Sequence, residues 1–201
     1  QGITPLWLTS ARIVFATVVT SIIWLMRGGK LFTTNETAWT RLGIIGIIST
    51  ALPFQLISWG QQYVTSSFAG LAMASMPLFV LPLAYFFNTN EALDRRKFIG
   101  LLIGFLGIII LFSPDFTQGD DTSILTTLGK LACILAAFCY ASNSILMRKL
   151  PSIDPVGLAA TSLLIGSLWV VLWAITIEGP PPIISAETLL ILILLGLLPT
   201  A

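Results

Sequence analysis

Arg12 is the residue whose type and position most invite chemistry. It follows Leu6 by six residues in an apolar run, roughly 10 Å along a helix axis at 1.5 Å per residue. A guanidinium at that depth in hydrocarbon is costly unless paired or hydrated. It therefore either lines a polar cavity, or snorkels to the outer headgroups or pairs with a helix-end carbonyl. Gln55 offers donors and acceptors to a polar ligand, and Trp59, one turn later on the same face, is placed to stack on it. The alternative is an interhelical hydrogen bond for Gln55 and an interfacial aromatic belt for Trp59. Pro77 and Pro82 each remove a backbone donor inside another apolar run and can free a carbonyl about one turn earlier. They either break the helix to build a site or merely kink it; Met76, beside Pro77, would give a site a soft wall. Tyr140, Asn143 and Ser144 share a helical face, as inward ligand contacts or as interhelical glue.

Other chemistries find no residues to carry them. The chain has no His, the commonest general base, metal ligand and pH switch. No nucleophile stands with a base, and no metal-ligand spacing is present, so the expectation is a protein that is not an enzyme and needs neither metal nor cofactor. Cys133 and Cys139 lie on different sides of one helix, which argues against a bridge between them and makes them packing residues. The longest basic cluster is Arg95, Arg96 and Lys97, and the net charge is +1; nothing suggests a nucleic-acid partner.

The elements that must position these residues are membrane spans. Hydrophobic residues make up 56 % of the chain and charged ones 9 %, a balance few soluble domains of this length tolerate. A transmembrane helix needs about 20 mostly apolar residues, and such runs are expected over Leu6–Met26, Leu42–Trp59, Phe68–Phe87, Phe98–Phe112, Leu128–Met147 and Val156–Ile177. The polar turn around Gly60–Tyr63 makes the second and third a tight antiparallel hairpin. An acidic loop with Asp115, Asp120 and Asp121 precedes the fifth. After Glu178 come Gly179 and Pro180–Pro182, a stiff linker, and a seventh run starts at Leu189. Gln1 is not a start residue and the last run is short, so both ends are expected to be cut.

Arg27, Lys30 and Arg41 follow the first span, Arg95–Lys97 the third, and Arg148 with Lys149 the fifth, whereas the alternate loops are neutral or acidic. The positive-inside rule places the basic loops in the cytoplasm of a multi-pass inner (plasma) membrane protein. Glu91, closing the third span beside Arg95 and Arg96, reads as an ion-pair anchor. Gly100, Gly104 and Gly107 would let another helix approach closely.

Sliding the chain on itself by about 150 residues lays Ile3, Pro5 and Leu8 on Ile153, Pro155 and Leu158, and GIISTA from Gly46 on GLLPTA from Gly196. The repeat unit holds five spans, an odd number, so the second copy would be inverted, a transporter architecture. The fold expected is all-α: a polytopic transmembrane bundle, part of a ten-span protein of two inverted five-span repeats. Residues 1–114 would be the first repeat lacking its first span, and 126–201 the second, truncated in its third.

The stretch from Tyr63 to Phe112 resembles the signature end of an EamA domain, of the drug/metabolite transporter superfamily. The matching features are the small residues after Tyr63, Pro77 with an aromatic-rich run behind it, Glu91, and Gly100, Gly104 and Gly107. Arg12 and the pattern LAAFCYASNSILMRK resemble it too. The resemblance implies a secondary transporter, often an exporter of amino acids or other metabolites, with a central cavity between the two halves. The expected substrate-binding residues are Arg12, Gln55, Trp59, Met76, Pro77, Tyr140 and Asn143. The partners are a small polar or amphipathic substrate and membrane lipids, with the protein a monomer or homodimer. A lipid-linked sugar flippase of the same superfamily and a non-transporting membrane scaffold are the rivals.

Overall fold

Proline, small residues and caps decide where each helix starts and what it can touch. The computed structural model describes residues 4–32, 38–87, 95–111, 123–181 and Leu192. Glu91, the acidic loop Asp115–Asp121 and, apart from Leu192, the run from Leu189 lie outside the described residues, as do Ile3, Gly196 and Thr200. The helices are α1 (Pro5–Met26), α2 (Trp39–Gly60), α3 (Ser66–Ala74), α4 (Met76–Phe87), α5 (Arg95–Leu111), α6 (Ile124–Arg148) and α7 (Pro155–Glu178). Among the described residues the sole β feature is an antiparallel bridge between Phe32 and Ile153.

Among the described residues, five segments are long and apolar enough to cross a membrane: α1, α2, Ser66–Phe87 (α3 with α4), α6 and α7. The expected fourth span is helical over 17 residues as α5, about 25 Å long against an about 30 Å hydrocarbon core. α6 begins four residues before the apolar run read from the sequence. Ser123 starts it, its hydroxyl accepting from the Thr126 amide at 3.2 Å, which satisfies one of the helix's orphan donors.

The described chain gathers into two compact units: Gln1–Gln55 with Lys149–Ala201, and Leu56–Arg148. In the first, α1 and α7 run antiparallel. Thr4 Oγ1 donates to Glu178 Oε2 at one end. At the other the Asp154 amide donates to Leu31 O at 3.0 Å, beside the Phe32–Ile153 bridge. Both helices start on Pro at the first helical position, where its missing N–H and fixed φ cost nothing. Five buried positions correspond, out of six on α1 and eight on α7: Ser10, Ile13, Ala16, Thr17 and Thr20 of α1, and Ala160, Leu163, Gly166, Ser167 and Val170 of α7. Each pair is separated by the same 150 residues as the sequence repeat. The threonine hydroxyls on the α1 face donate within their own helix, Thr17 Oγ1 to Ile13 O at 2.7 Å and Thr20 Oγ1 to Ala16 O at 2.6 Å, while Ser10 Oγ reaches both Leu6 O at 2.8 Å and Val170 O of α7 at 3.4 Å. They therefore pack as small residues and leave no polar group exposed in an apolar seam.

α2 joins this seam through two glycines. A Cβ on Gly46 would stand 2.8 Å from Ile165 Cβ, and one on Gly166 would stand 2.7 Å from Thr50 Cβ. Ile47–Ala51 form a π turn, with the Leu52 amide reaching back to Ile47 O. The cause is Pro53, which has no N–H for Ser49 O and whose ring would clash with it in a regular α-helix.

Of the basic residues expected on one side, Arg41 and Lys149 meet in this unit, where Arg41 Nη1 donates to Lys149 O at 2.8 Å. Asp154 caps α7, its Oδ2 accepting from the Gly157 amide at 2.7 Å. Asp154→Ala should cost about 1 kcal/mol, read as a lower unfolding temperature of the detergent-solubilised protein, with Asp154→Asn close to wild type. An alanine variant as stable as wild type would remove the cap from this account.

In the second unit the paired helices α3 and α4 pack on α6. The core holds Val64, Phe68, Ala69, Ala72 and Cys133. Phe79 meets Phe138 edge-on at 5.7 Å. Both cysteines are free and buried. The expected glycine face of α5 is used only in part. Leu78 fills the space at Gly104, whereas Gly100 and Gly107 have nothing within 4 Å.

Candidate functional site

In the first unit Arg12 is half-buried, with its Cζ 5.7 Å from the centroid of the Phe54 ring. Phe54 in turn packs on the core of Ile13, Ala16, Ala51, Leu163 and Val170. Gln55 is next along α2, half-buried, and its Nε2 is buried with no hydrogen-bond partner among the described residues. The π turn is what aims these two residues. One inserted residue rotates everything downstream by about 100° relative to a regular helix. A reading of α2 as a plain α-helix therefore misplaces Phe54 and Gln55 relative to Gly46. Sequence reasoning overlooked the turn, although Pro53 in ALPFQ signals it. It also overlooked Ser162, whose buried Oγ has no partner among the described residues and which occupies the position 150 residues after Arg12. Trp7 Nε1 is buried in the same state. Buried polar groups are nearly always bonded, so these unspent groups are where water or a polar ligand is expected.

The other expected site residues belong to the second unit. Trp59 is 36 % exposed at the end of α2, its ring 5.1 Å from that of Tyr63, a placement that suits a belt as well as a stacking contact. Ser75 separates α3 from α4, so the helix breaks two residues before Pro77. The carbonyl that Pro77 strips of its usual donor is not left open. Ser75 N and Oγ both donate to Ala72 O, at 3.1 and 2.6 Å, and the capping amides reach Met73 O as well. Met76 is half-buried and Pro77 exposed. Beside the break lies a cavity of about 350 Å³ lined by Leu71, Ala74, Ser75, Leu78, Gly104, Gly107, Ile108 and Ile110. Its one hydroxyl is already bonded, so it suits an apolar group. Tyr140 and Asn143 are half-buried on α6. Asn143 Nδ2 meets Met147 Sδ at 3.4 Å while its Oδ1 is buried without a partner. Ser144 donates to Ala141 O of its own helix.

Lys130 was not singled out in the sequence, where it stands two residues into the apolar run read from Leu128. With α6 starting at Ile124, it stands six residues inside the helix, about 9 Å along the axis. It is 8 % exposed, on the face that also buries Thr126, Cys133 and Ala137. Its Nζ lies 5.9 Å from the centroid of the Phe68 ring. Such a contact contributes about 0.5–2 kcal/mol.

Residues 1–113 match the model of the EamA-like transporter family. The chain is 24 % identical to the uncharacterized transporter YoaV of Bacillus subtilis (strain 168), over 66 % of this chain and 43 % of the relative. It is 31 % identical to an uncharacterized transporter in the trpA 3′ region of Buchnera aphidicola subsp. Schlechtendalia chinensis, over 69 % and 44 %. A WAT1-related chloroplastic protein of Arabidopsis thaliana is 24 % identical over 75 % and 36 %. The chain thus spans about half the length, or less, of these curated relatives. No solved structure matches it significantly.

Proposed function

We propose, on the premise that this chain belongs to the EamA-like transporter family, that it is the substrate-handling part of an inner-membrane exporter. Its cargo is small polar metabolites such as amino acids, moved by alternating access, with the basic loops on the cytoplasmic side. The observation that carries the cargo's polarity is Gln55: a buried amide nitrogen with no partner among the described residues, one position from the Arg12–Phe54 contact. A membrane protein that needed only apolar packing there would gain by replacing the glutamine, since an unmet buried donor costs about 1–3 kcal/mol. The matched faces of α1 and α7 support the reading of two inverted repeats, because helices related by a two-fold axis in the membrane plane meet through equivalent residues.

The complete protein reconstituted in liposomes should show counterflow of one class among radiolabelled amino acids, sugars and nucleosides. Gln55→Leu should raise KM for that class about two- to tenfold, the value of one neutral hydrogen bond. If a folded, correctly oriented protein moves nothing in the panel, the export reading fails, and lipid flipping or scaffolding takes its place.

A further inference from the structure

We infer that Lys130 binds the carboxylate of the transported molecule, so that this transporter handles anionic or zwitterionic cargo and reads its negative group from α6. The inference rests on the export reading above for its word "cargo", but the binding it asserts does not.

The argument starts from charge. Two cations, Arg12 and Lys130, stand more than one turn inside the five candidate spans, and the acidic residue those spans hold is Glu178, at the very end of α7. Lys130 is the more deeply covered of the two. Nine-tenths of it is buried by the protein itself, so its stem is wrapped by protein and is not a lipid-facing snorkeller. Its covering is built for the purpose. Gly60 and Gly129 approach so closely that a Cβ on Gly60 would fall 2.9 Å from Gly129 O, which closes the 60–64 turn over α6 one residue before Lys130. Thr65 then caps α3, accepting from the Phe68 amide, and sets the Phe68 ring against the ammonium. Among the described residues that ring is the partner of Lys130. An ammonium has three donors and a ring face engages its charge without accepting a full hydrogen bond. The site is a lysine nine-tenths buried whose ammonium meets, among the described residues, a ring face and no hydrogen-bond acceptor, and a carboxylate oxygen is the acceptor that completes it.

The test uses the purified complete protein in neutral phosphatidylcholine nanodiscs. Thermal stabilisation is measured with the twenty L-amino acids and with their carboxamides. At least one amino acid should stabilise the wild type more than its amide does. Lys130→Met should weaken that response roughly tenfold or more, the value of hydrogen bonds to a charged group, and leave the amide response unchanged. Lys130→Arg should keep the preference, and an unchanged amide response shows that Lys130→Met is folded. Equal responses to acid and amide in the wild type, or a preference that survives in Lys130→Met, would overturn the inference. So would a Lys130-dependent stabilisation by added phosphatidylglycerol without any by the acids, which would assign the ammonium to a lipid phosphate. Counterflow separates the two readings. Lys130-dependent binding without transport defeats export and keeps the site, whereas transport indifferent to Lys130→Met defeats the site and keeps export.

Discussion

Gly166→Leu should lower the unfolding temperature of the complete protein by about 3–10 °C. The β-carbon alone would stand 2.7 Å from Thr50 Cβ and Cγ2, and 3.4 Å from Gly46 O. Thr50 is 5 % exposed in the π turn of α2, where it has no room to retreat. α7 is held on its other flank by α1, through Ser10 and Val170, so it cannot move away without opening the seam. Overpacking of this kind costs about 1–3 kcal/mol, and about 2–4 °C per kcal/mol is usual for 150–250 residues. Between helices in lipid the loss bites harder, because close packing is the main force that holds them together. Gly70→Ala is the matched control. It has nothing within 4 Å and should be neutral or slightly stabilising, since alanine is the better helix former by up to about 1 kcal/mol. Thermal unfolding followed by size-exclusion fluorescence reads both. A Gly166→Leu protein as stable as wild type would mean that α2 and α7 do not meet as described.

Arg12→Ala should reduce transport efficiency roughly 10- to 100-fold while leaving the protein folded. The side chain is half-buried and its guanidinium lies over Phe54, one residue from the unspent amide of Gln55. A guanidinium so placed can give a substrate charged hydrogen bonds worth about 1.5–3 kcal/mol. The ring contact by itself is worth about 0.5–2 kcal/mol. Arg12→Lys keeps the charge but not the planar fork, so it should restore only part of the activity. Counterflow kinetics distinguish the roles. A rise in KM marks substrate contact, whereas a lower unfolding temperature with KM unchanged would make Arg12 a structural anchor.

Much of the fold was legible in the chain itself. Apolar runs of span length, closed by Arg27, Lys30 and Lys149, identify helices because hydrocarbon admits only backbones that satisfy their own hydrogen bonds. The runs expected from Leu6 and Val156 begin one residue after the helices do, at Pro5 and Pro155. Arg12 and Gln55 stood out because polar groups in apolar runs are costly wherever they end up. What a run of residues cannot display is azimuth and partnership. Pro53 shifts the phase of α2 through a π turn, and a periodicity count that assumes 3.6 residues per turn cannot see it. Pro77 promised an open carbonyl, but Ser75 and the capping amides take the carbonyls up, a local exchange that depends on backbone geometry. Lys130 drew no reading from the sequence, since it stands two residues into the run expected from Leu128; Ser123 starts α6 earlier and sets it deeper.

The sequence by itself determined the solvent and the apolar helices, because these follow from composition and spacing along one dimension, and its motifs carried the resemblance that named the family. Only the tertiary structure decided that α1 and α7 meet through matched faces, that Gly46 and Gly166 let α2 join them, and that Lys130 is enclosed with one aromatic ring. Those facts depend on which surfaces approach within van der Waals distance, and residues far apart in the chain carry no mark of that until the packing brings them together.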